Sequence, residues 1–161
     1  MLEDLSIKNF ALIDSVNIEF KSGFTVLSGE TGAGKSILIG ALSFLLGGKA
    51  CVEQIRAGMQ EASVSGTFML PPVSVLDKME CQEKEDGEME SRTARQWLLN
   101  HGIESENDRV IIRRYIRDNG KTAAWISGVP VTRADLQSFC MFLVDIHGQH
   151  EHQSLMKVTE H

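Results

Sequence analysis

The sequence has no apolar run approaching the roughly 20 residues that a membrane-spanning helix requires, so no membrane span is expected. Its first ten residues, MLEDLSIKNF, lack the basic and apolar regions of a secretory signal, and the cytoplasm is the expected compartment. Cysteine is scarce: Cys51, Cys81 and Cys140 are odd in number, far apart and without a C-x-x-C pair. That excludes a disulfide framework and a zinc ribbon, and it points to reduced thiols. No internal repeat is present. No Ser-His-Asp or Cys-His arrangement stands out, because neither His101 nor Cys81 carries a flanking motif.

The 161 residues suffice for one domain with a real core, at 42% hydrophobic and 24% charged content. The net charge of −6 is unevenly spread. Between Glu80 and Glu90 six acids face one base, a local −5, which leaves the rest of the chain near −1. A near-neutral body neither supports nor excludes a phosphate-backbone partner.

Against these absences stands one strong presence. Gly29-Glu30-Thr31-Gly32-Ala33-Gly34-Lys35-Ser36 fits G-x-x-x-x-G-K-[ST], the phosphate-binding loop of P-loop nucleotidases. Gly29, Gly32 and Gly34 allow backbone angles that a Cβ would penalise, so successive N–H groups can turn toward an anion. Lys35 is expected to reach the β- and γ-phosphates, and the Ser36 hydroxyl to sit on Mg²⁺. The context agrees. Phe24, Val26 and Leu27 form a short strand-like run before the loop. Ile37, Leu38, Ala41, Leu42, Leu45 and Leu46 recur at helical spacing after it, and Gly47-Gly48 stop the helix.

The remaining pattern is mostly strand. Leu2–Phe10 and Ile13–Phe20 read as an antiparallel pair, and Lys21-Ser22-Gly23 as the turn into the P-loop strand. The P-loop helix is expected from roughly Lys35 to Leu46. Val52–Met59 has no clear pattern; Arg56 there either faces the phosphate site or is solvated. Glu61–Leu70 alternates, with Ala62, Val64, Phe68 and Leu70 on one face, until Pro71-Pro72 ends it. Gln82–Ser91 is acidic and poor in large apolar residues, which predicts a mobile surface loop. Thr93–Asn100 reads as a short helix around Trp97, Leu98 and Leu99. Arg109–Arg117 is a strand, Asp118-Asn119-Gly120 a hairpin turn, Lys121–Ser127 the return strand, and Gly128-Val129-Pro130 another turn. Thr132 with Asp135 forms a capping box for a helix whose stripe is Leu136, Phe139, Cys140, Leu143 and Val144. The outline is an α/β fold with mainly antiparallel strands around a P-loop helix, unlike the regular alternation of a doubly wound sheet.

Three further clusters admit two readings each. His147, His150 and His152 have a spacing that could bind zinc or nickel, but no acid or cysteine completes a recognised set. Arg109, Arg113, Arg117 and Lys121 could touch nucleic-acid phosphates or line a solvated or interlobe face. Trp97 and Trp125 read as core rather than as base-stacking platforms.

The motifs together resemble a family. Leu5-x-Ile7-x-Asn9-Phe10-Ala11, the stretch Gly23–Ser36, Leu46-Gly47-Gly48-Lys49-Ala50, Arg113-Arg114, Asn119-Gly120, Ile126-Ser127-Gly128 and Ile146-His147-Gly148-Gln149-His150-Glu151-His152-Gln153 are similar to the RecN family of bacterial SMC-like DNA repair ATPases. The resemblance spans nearly the whole chain except the acidic insert near 82–91. It implies an ABC/SMC-type ATPase head whose two lobes come from opposite ends of the chain, separated by a coiled coil. Residues 1–150 would then be the N-terminal lobe, and 151–161 the start of a helix leading toward the coiled coil. It also implies ATP and Mg²⁺ as cofactors, with Gly29 to Ser36 binding nucleotide. Gln149, rather than Gln153, would be the Q-loop glutamine that helps coordinate Mg²⁺ and senses the γ-phosphate. The implied partners are a C-terminal lobe, a second head in a homodimer, and DNA, at the bacterial nucleoid. No apolar strand ending in Asp-Glu and no LSGG-like signature follows the P-loop, so hydrolysis is expected to need the C-terminal lobe. The alternative is a self-contained P-loop kinase or GTPase. It would need a lid and acceptor-site acid, or an N-K-x-D motif, and none of these is in the sequence.

Overall fold

A computed structural model describes residues 1–20 and 32–144, with side chains for 1–20 and 34–143. The expected strand at Phe24–Leu27, its preceding turn and everything from Asp145 onward lie outside these residues. Among the described residues the strands are β1 (Leu2–Phe10), β2 (Ile13–Glu19), β3 (Glu61–Met69), β4 (Arg109–Arg117), β5 (Thr122–Ile126) and β6 (Val129–Val131). The helices are α1 (Gly32–Leu45), α2 (Ala94–Asn100) and α3 (Arg133–Val144). The strands form one six-stranded sheet in the order β2-β1-β3-β4-β5-β6, and every neighbouring pair is antiparallel.

Period-two alternation makes this sheet two-faced. The register aligns Leu5, Gly66, Ile112 and Ile126 in one row across four strands, and Ile7, Val64, Arg114 and Ala124 in another. All eight are buried. The helices cover this face. α1 contributes Ala41, Phe44 and Leu45, and α3 contributes Leu136, Phe139, Cys140 and Leu143. The Phe44 ring lies 5.8 Å from that of Phe10. α2 caps the layer through Trp97, whose ring is 5.0 Å from Phe139 and whose indole N–H donates to Ser138 Oγ at 3.2 Å.

One glycine sets how closely α1 approaches the sheet. A Cβ at Gly66 would come within 3.0 Å of Leu45 Cδ2 and 3.2 Å of the Asp4 carbonyl oxygen. The missing side chain in mid-strand is the space that Leu45 fills.

Most expected elements stand where the pattern put them, with differences that have local causes. α1 begins at Gly32 rather than Lys35, because the glycines of the loop adopt the helical conformation of its first turn. Its core face includes Phe44, which the spacing argument omitted. Val52–Gln54 is a single 3-10 turn, after which Ile55 bridges to Phe10. The stretch 82–91 folds back on itself, with the Lys84 amide donating to the Glu88 carbonyl at 2.8 Å and the Glu90 amide to Gln82 at 2.7 Å. Leu99 faces solvent at 80% exposure, one position off the buried stripe of Trp97 and Leu98. Val129–Val131 is an edge strand rather than a turn. Pro130 is tolerated there because its ring nitrogen has no proton to give to a neighbouring ladder. Thr132 and Asp135 form the expected capping box, each accepting from the other's amide, at 3.1 and 3.2 Å. The three cysteines are unpaired thiols, and burial pushes that of Cys140 up to about 12.

Gly66→Val is expected to push Leu45 and α1 away from the sheet. The cost is about 2 kcal/mol, or a melting midpoint roughly 6 °C lower in a calorimetric scan.

Candidate functional site

The two ends of α1 differ in chemistry. At the N-terminal end, Gly34, Lys35 and Ser36 are exposed. The first N–H groups of a helix have no intrahelical acceptor, and the macrodipole places partial positive charge there. No acidic residue lies in the first turn of α1, so the helix supplies no carboxylate of its own to that charge. An anion suits this end: the first-turn N–H groups of a helix, its positive dipole end and the exposed Lys35 all belong to it. A divalent cation on its own does not, since Ser36 is the one oxygen side chain among the described residues of the first turn and a half. Mg²⁺ would have to arrive with phosphate oxygens. Of the expected phosphate-binding residues, Gly32, Ala33, Gly34, Lys35 and Ser36 belong to α1. Gly29, Glu30 and Thr31 lie outside the described residues, as does Gln149.

The C-terminal end of α1 is closed by a network that the sequence motifs do not announce. Gly47, at φ 96°, takes the left-handed conformation, and Gly48 N–H donates to Ser43 O at 2.8 Å while Gly47 N–H donates to Phe44 O at 3.2 Å. This is a Schellman ending. Side chains from elsewhere satisfy the remaining carbonyls. Arg114 of β4 donates through Nη1 to Phe44 O at 2.7 Å and also to Gly48 O. Arg133 and Gln137 of α3 both donate to Gly47 O, at 2.9 and 2.8 Å. The Arg114 guanidinium also lies 4.6 Å from the centroid of the Phe44 ring. Burial first, and the nearby Arg133 charge second, lower its pKa to about 10, so it remains a cation at neutral pH. No basic residue occupies the last turn of α1; the cations that complement its negative end come from β4 and α3. The visible signal for this network was a single arginine among Val110, Ile112 and Ile116 on the apolar face of β4.

The other arginines are placed as follows. Arg56 pairs with Asp14 of β2 at 3.0 Å, an exposed ion pair rather than a free solvated side chain. On the outer face of the sheet, Arg109 pairs with Glu3 at 2.8 Å and Arg117 approaches Glu61 at 4.0 Å. Arg113 lies 5.5 Å from the Trp125 ring, which in turn is 5.4 Å from Tyr115. Trp97 is core, as expected, whereas Trp125 is half-buried on this outer face. A surface concavity is there too, lined by Thr67, Ile111, Arg113 and Trp125 and rimmed by Glu104 and Glu106, on the side of the sheet away from α1. Two of the three strand arginines are thus neutralised from within, and the rim is acidic, which weakens this face as a phosphate-backbone surface. No cluster of three metal-ligating side chains occurs among the described residues; His147, His150 and His152 lie outside them.

A family model described as an AAA domain matches residues 4–139. The chain belongs to the AAA-domain family. DNA repair protein RecN of Treponema pallidum (strain Nichols) is 47% identical over 161 residues, which is 100% of this chain and 25% of that protein. DNA repair protein RecN of Halalkalibacterium halodurans (strain C-125) is 39% identical over 162 residues, again 100% of this chain and 25% of the relative. The chain therefore spans about a quarter of the length of the curated relatives it matches, and the RecN resemblance read from the motifs holds along all of it. A solved chain from work on ATP-driven dimerization and DNA-stimulated activation of SMC ATPases superposes with a TM-score of 0.60 at 23% identity, covering 98% of both chains. That likeness concerns the fold. The antiparallel sheet around a P-loop helix is the fold of an ABC/SMC-type head lobe within the AAA-domain family.

Removing the buried cation should cost far more than removing the exposed one. Arg114→Met leaves the carbonyls of Phe44 and Gly48 without their side-chain donor and is expected to lose about 3 kcal/mol in urea denaturation. Arg56→Ala is expected to lose less than about 1 kcal/mol.

Proposed function

We propose that this chain is the nucleotide-binding N-terminal lobe of a RecN-like, SMC-family ATPase that acts in DNA double-strand break repair and recombination. The observation that carries the reading is an open, cationic helix start at Gly32–Ser36, in a chain similar to RecN along its whole length. Residues Gly29 to Ser36 would wrap the phosphates of ATP. Lys35 would neutralise the β- and γ-phosphates, and Ser36 and Gln149 would hold Mg²⁺. When bound, the ion would supply positive charge that offsets that of the phosphates.

Binding and turnover are separate tasks in this reading. Hydrolysis also needs positioned water and stabilisation of developing charge. This sequence has no acid-terminated strand or signature motif after the P-loop to provide them. The C-terminal lobe of the same protein would supply those parts, and a second head in a homodimer would close over the nucleotide. DNA is the proposed macromolecular partner of the intact protein, in the cytoplasm at the nucleoid. No helix of the described residues is long and apolar enough to cross a membrane. A self-contained kinase or GTPase is not favoured, because the sheet and the relatives are those of an SMC-type head, and the base-recognition motif of a GTPase is missing from the sequence.

The test is calorimetry with Mg²⁺ and either ATP or GTP. The expected result is ATP binding that falls at least about 30-fold in Lys35→Ala, with hydrolysis appearing only when the C-terminal lobe is added. A preference for GTP, or a robust Lys35-dependent turnover by the chain alone, would overturn the reading.

A further inference from the structure

The donors at the C-terminal end of α1 do more than complete a hydrogen-bond inventory. They come from two different elements, Arg114 from β4 and Arg133 with Gln137 from α3, and they meet on three carbonyls of one helix end. Arg133 is close enough to Arg114 that its charge disfavours that of Arg114. Like charges gathered at one point need a counter-charge, and here it is the negative end of the α1 dipole. The fit is also steric. A Cβ on Gly47 would stand 2.6 Å from Gln137 Cγ and 3.2 Å from Gln137 N, so the first turns of α3 rest directly on the backbone that ends α1.

Such a joint constrains α1 in a way that apolar packing does not. Leucine and phenylalanine side chains tolerate small slides along a helix axis; a carbonyl held by two side-chain donors does not. α1 has 14 residues and is about 20 Å long. A helix of that length moves as a stiff rod, so the position of Gly47 fixes the positions of Lys35 and Ser36 at the opposite end. Phosphate recognition depends on placement to within a fraction of an ångström.

We propose that Arg133 and Gln137 are positioning residues for the nucleotide site: by holding Gly47 O they set the axial seat of α1, and with it where Lys35 and Ser36 meet the phosphates. This rests on the nucleotide-binding reading of α1. Both residues lie at the end of α1 opposite Lys35, and both are exposed enough to be replaced without opening the core. α3 thereby becomes part of the nucleotide site at a distance, although its sequence carries no nucleotide motif.

The experiment uses the full-length protein that carries this chain, with the single variants Arg133→Met and Gln137→Met, the double variant, and Arg133→Lys. Arg95→Met serves as a control, because Arg95 also donates to a backbone carbonyl, that of Pro71 at 2.8 Å, but not on α1. Mg–ATP affinity is measured by calorimetry and ATP turnover as separate kcat and KM values, alongside thermal midpoints. The expected result is a roughly tenfold loss of ATP affinity in the double variant, partial recovery in Arg133→Lys, and unchanged affinity in Arg95→Met at a similar loss of thermal stability. ATP affinity within twofold of the parent in the double variant, with only the midpoint lowered, would reduce the joint to a stability element and overturn the proposal. Equal loss of affinity in Arg95→Met would overturn it as well. A parent protein with no Lys35-dependent ATP binding would instead remove the nucleotide reading itself, and this proposal with it.

Discussion

A buried guanidinium holds the architecture together. Among the described residues, Arg114 is the one charged side chain buried on the inner face of the sheet, at 2% exposure. Burying a cation is costly, and the lowered pKa of Arg114 expresses that cost. The offset is local: two carbonyl oxygens at the negative end of α1 and the face of Phe44 receive the charge. Without it, α1 would end in the core with carbonyls that neither water nor backbone could satisfy. The same end then orders α3 through Arg133 and Gln137. Sheet, P-loop helix and α3 therefore share one joint, and apolar packing fills the space around a geometry that polar contacts have already fixed.

This arrangement separates tasks along a single helix. One end carries the exposed Gly34, Lys35 and Ser36; the other has its acceptors satisfied inside the protein. A helix with both ends open would be free to shift when a charged ligand arrived. The outer face of the sheet is different again: an arginine and two aromatic rings lie side by side, between arginines already matched by Glu3 and Glu61.

Much of this was legible in the residues. The alternation of Glu61–Met69 and Arg109–Arg117 gave both strands to within a residue, because a sheet with one buried face leaves little choice of register. The capping pair Thr132 and Asp135 marked the start of α3 for a similarly local reason. What escaped was non-local. Arg114 sits on the apolar face of β4, but all of β3 and α2 lie between it and its acceptors in sequence, and no periodicity reports such a pairing. Phe44, at i+3 from Ala41 and i+7 from Ile37, belongs to the buried stripe of α1, but nothing in that spacing reports that its ring receives Arg114. Arg56 admits two roles in the sequence because its partner, Asp14, belongs to a strand far upstream. Residue type alone puts Trp125 in the core, whereas strand alternation relative to Ala124 and Ile126 puts it on the opposite face. The P-loop itself was plain from its glycines, lysine and serine, while Gln149 could be named only through the family resemblance.

The two borders of the sheet are not equivalent. At β6, Pro130 occupies the middle of a three-residue strand and has no N–H to offer outward, so backbone pairing is chemically closed on that side. At β2, the backbone groups that point away from β1 have no strand partner among the described residues. A strand beside β6 would have to do without an amide at Pro130, whereas β2 carries no proline to impose that gap.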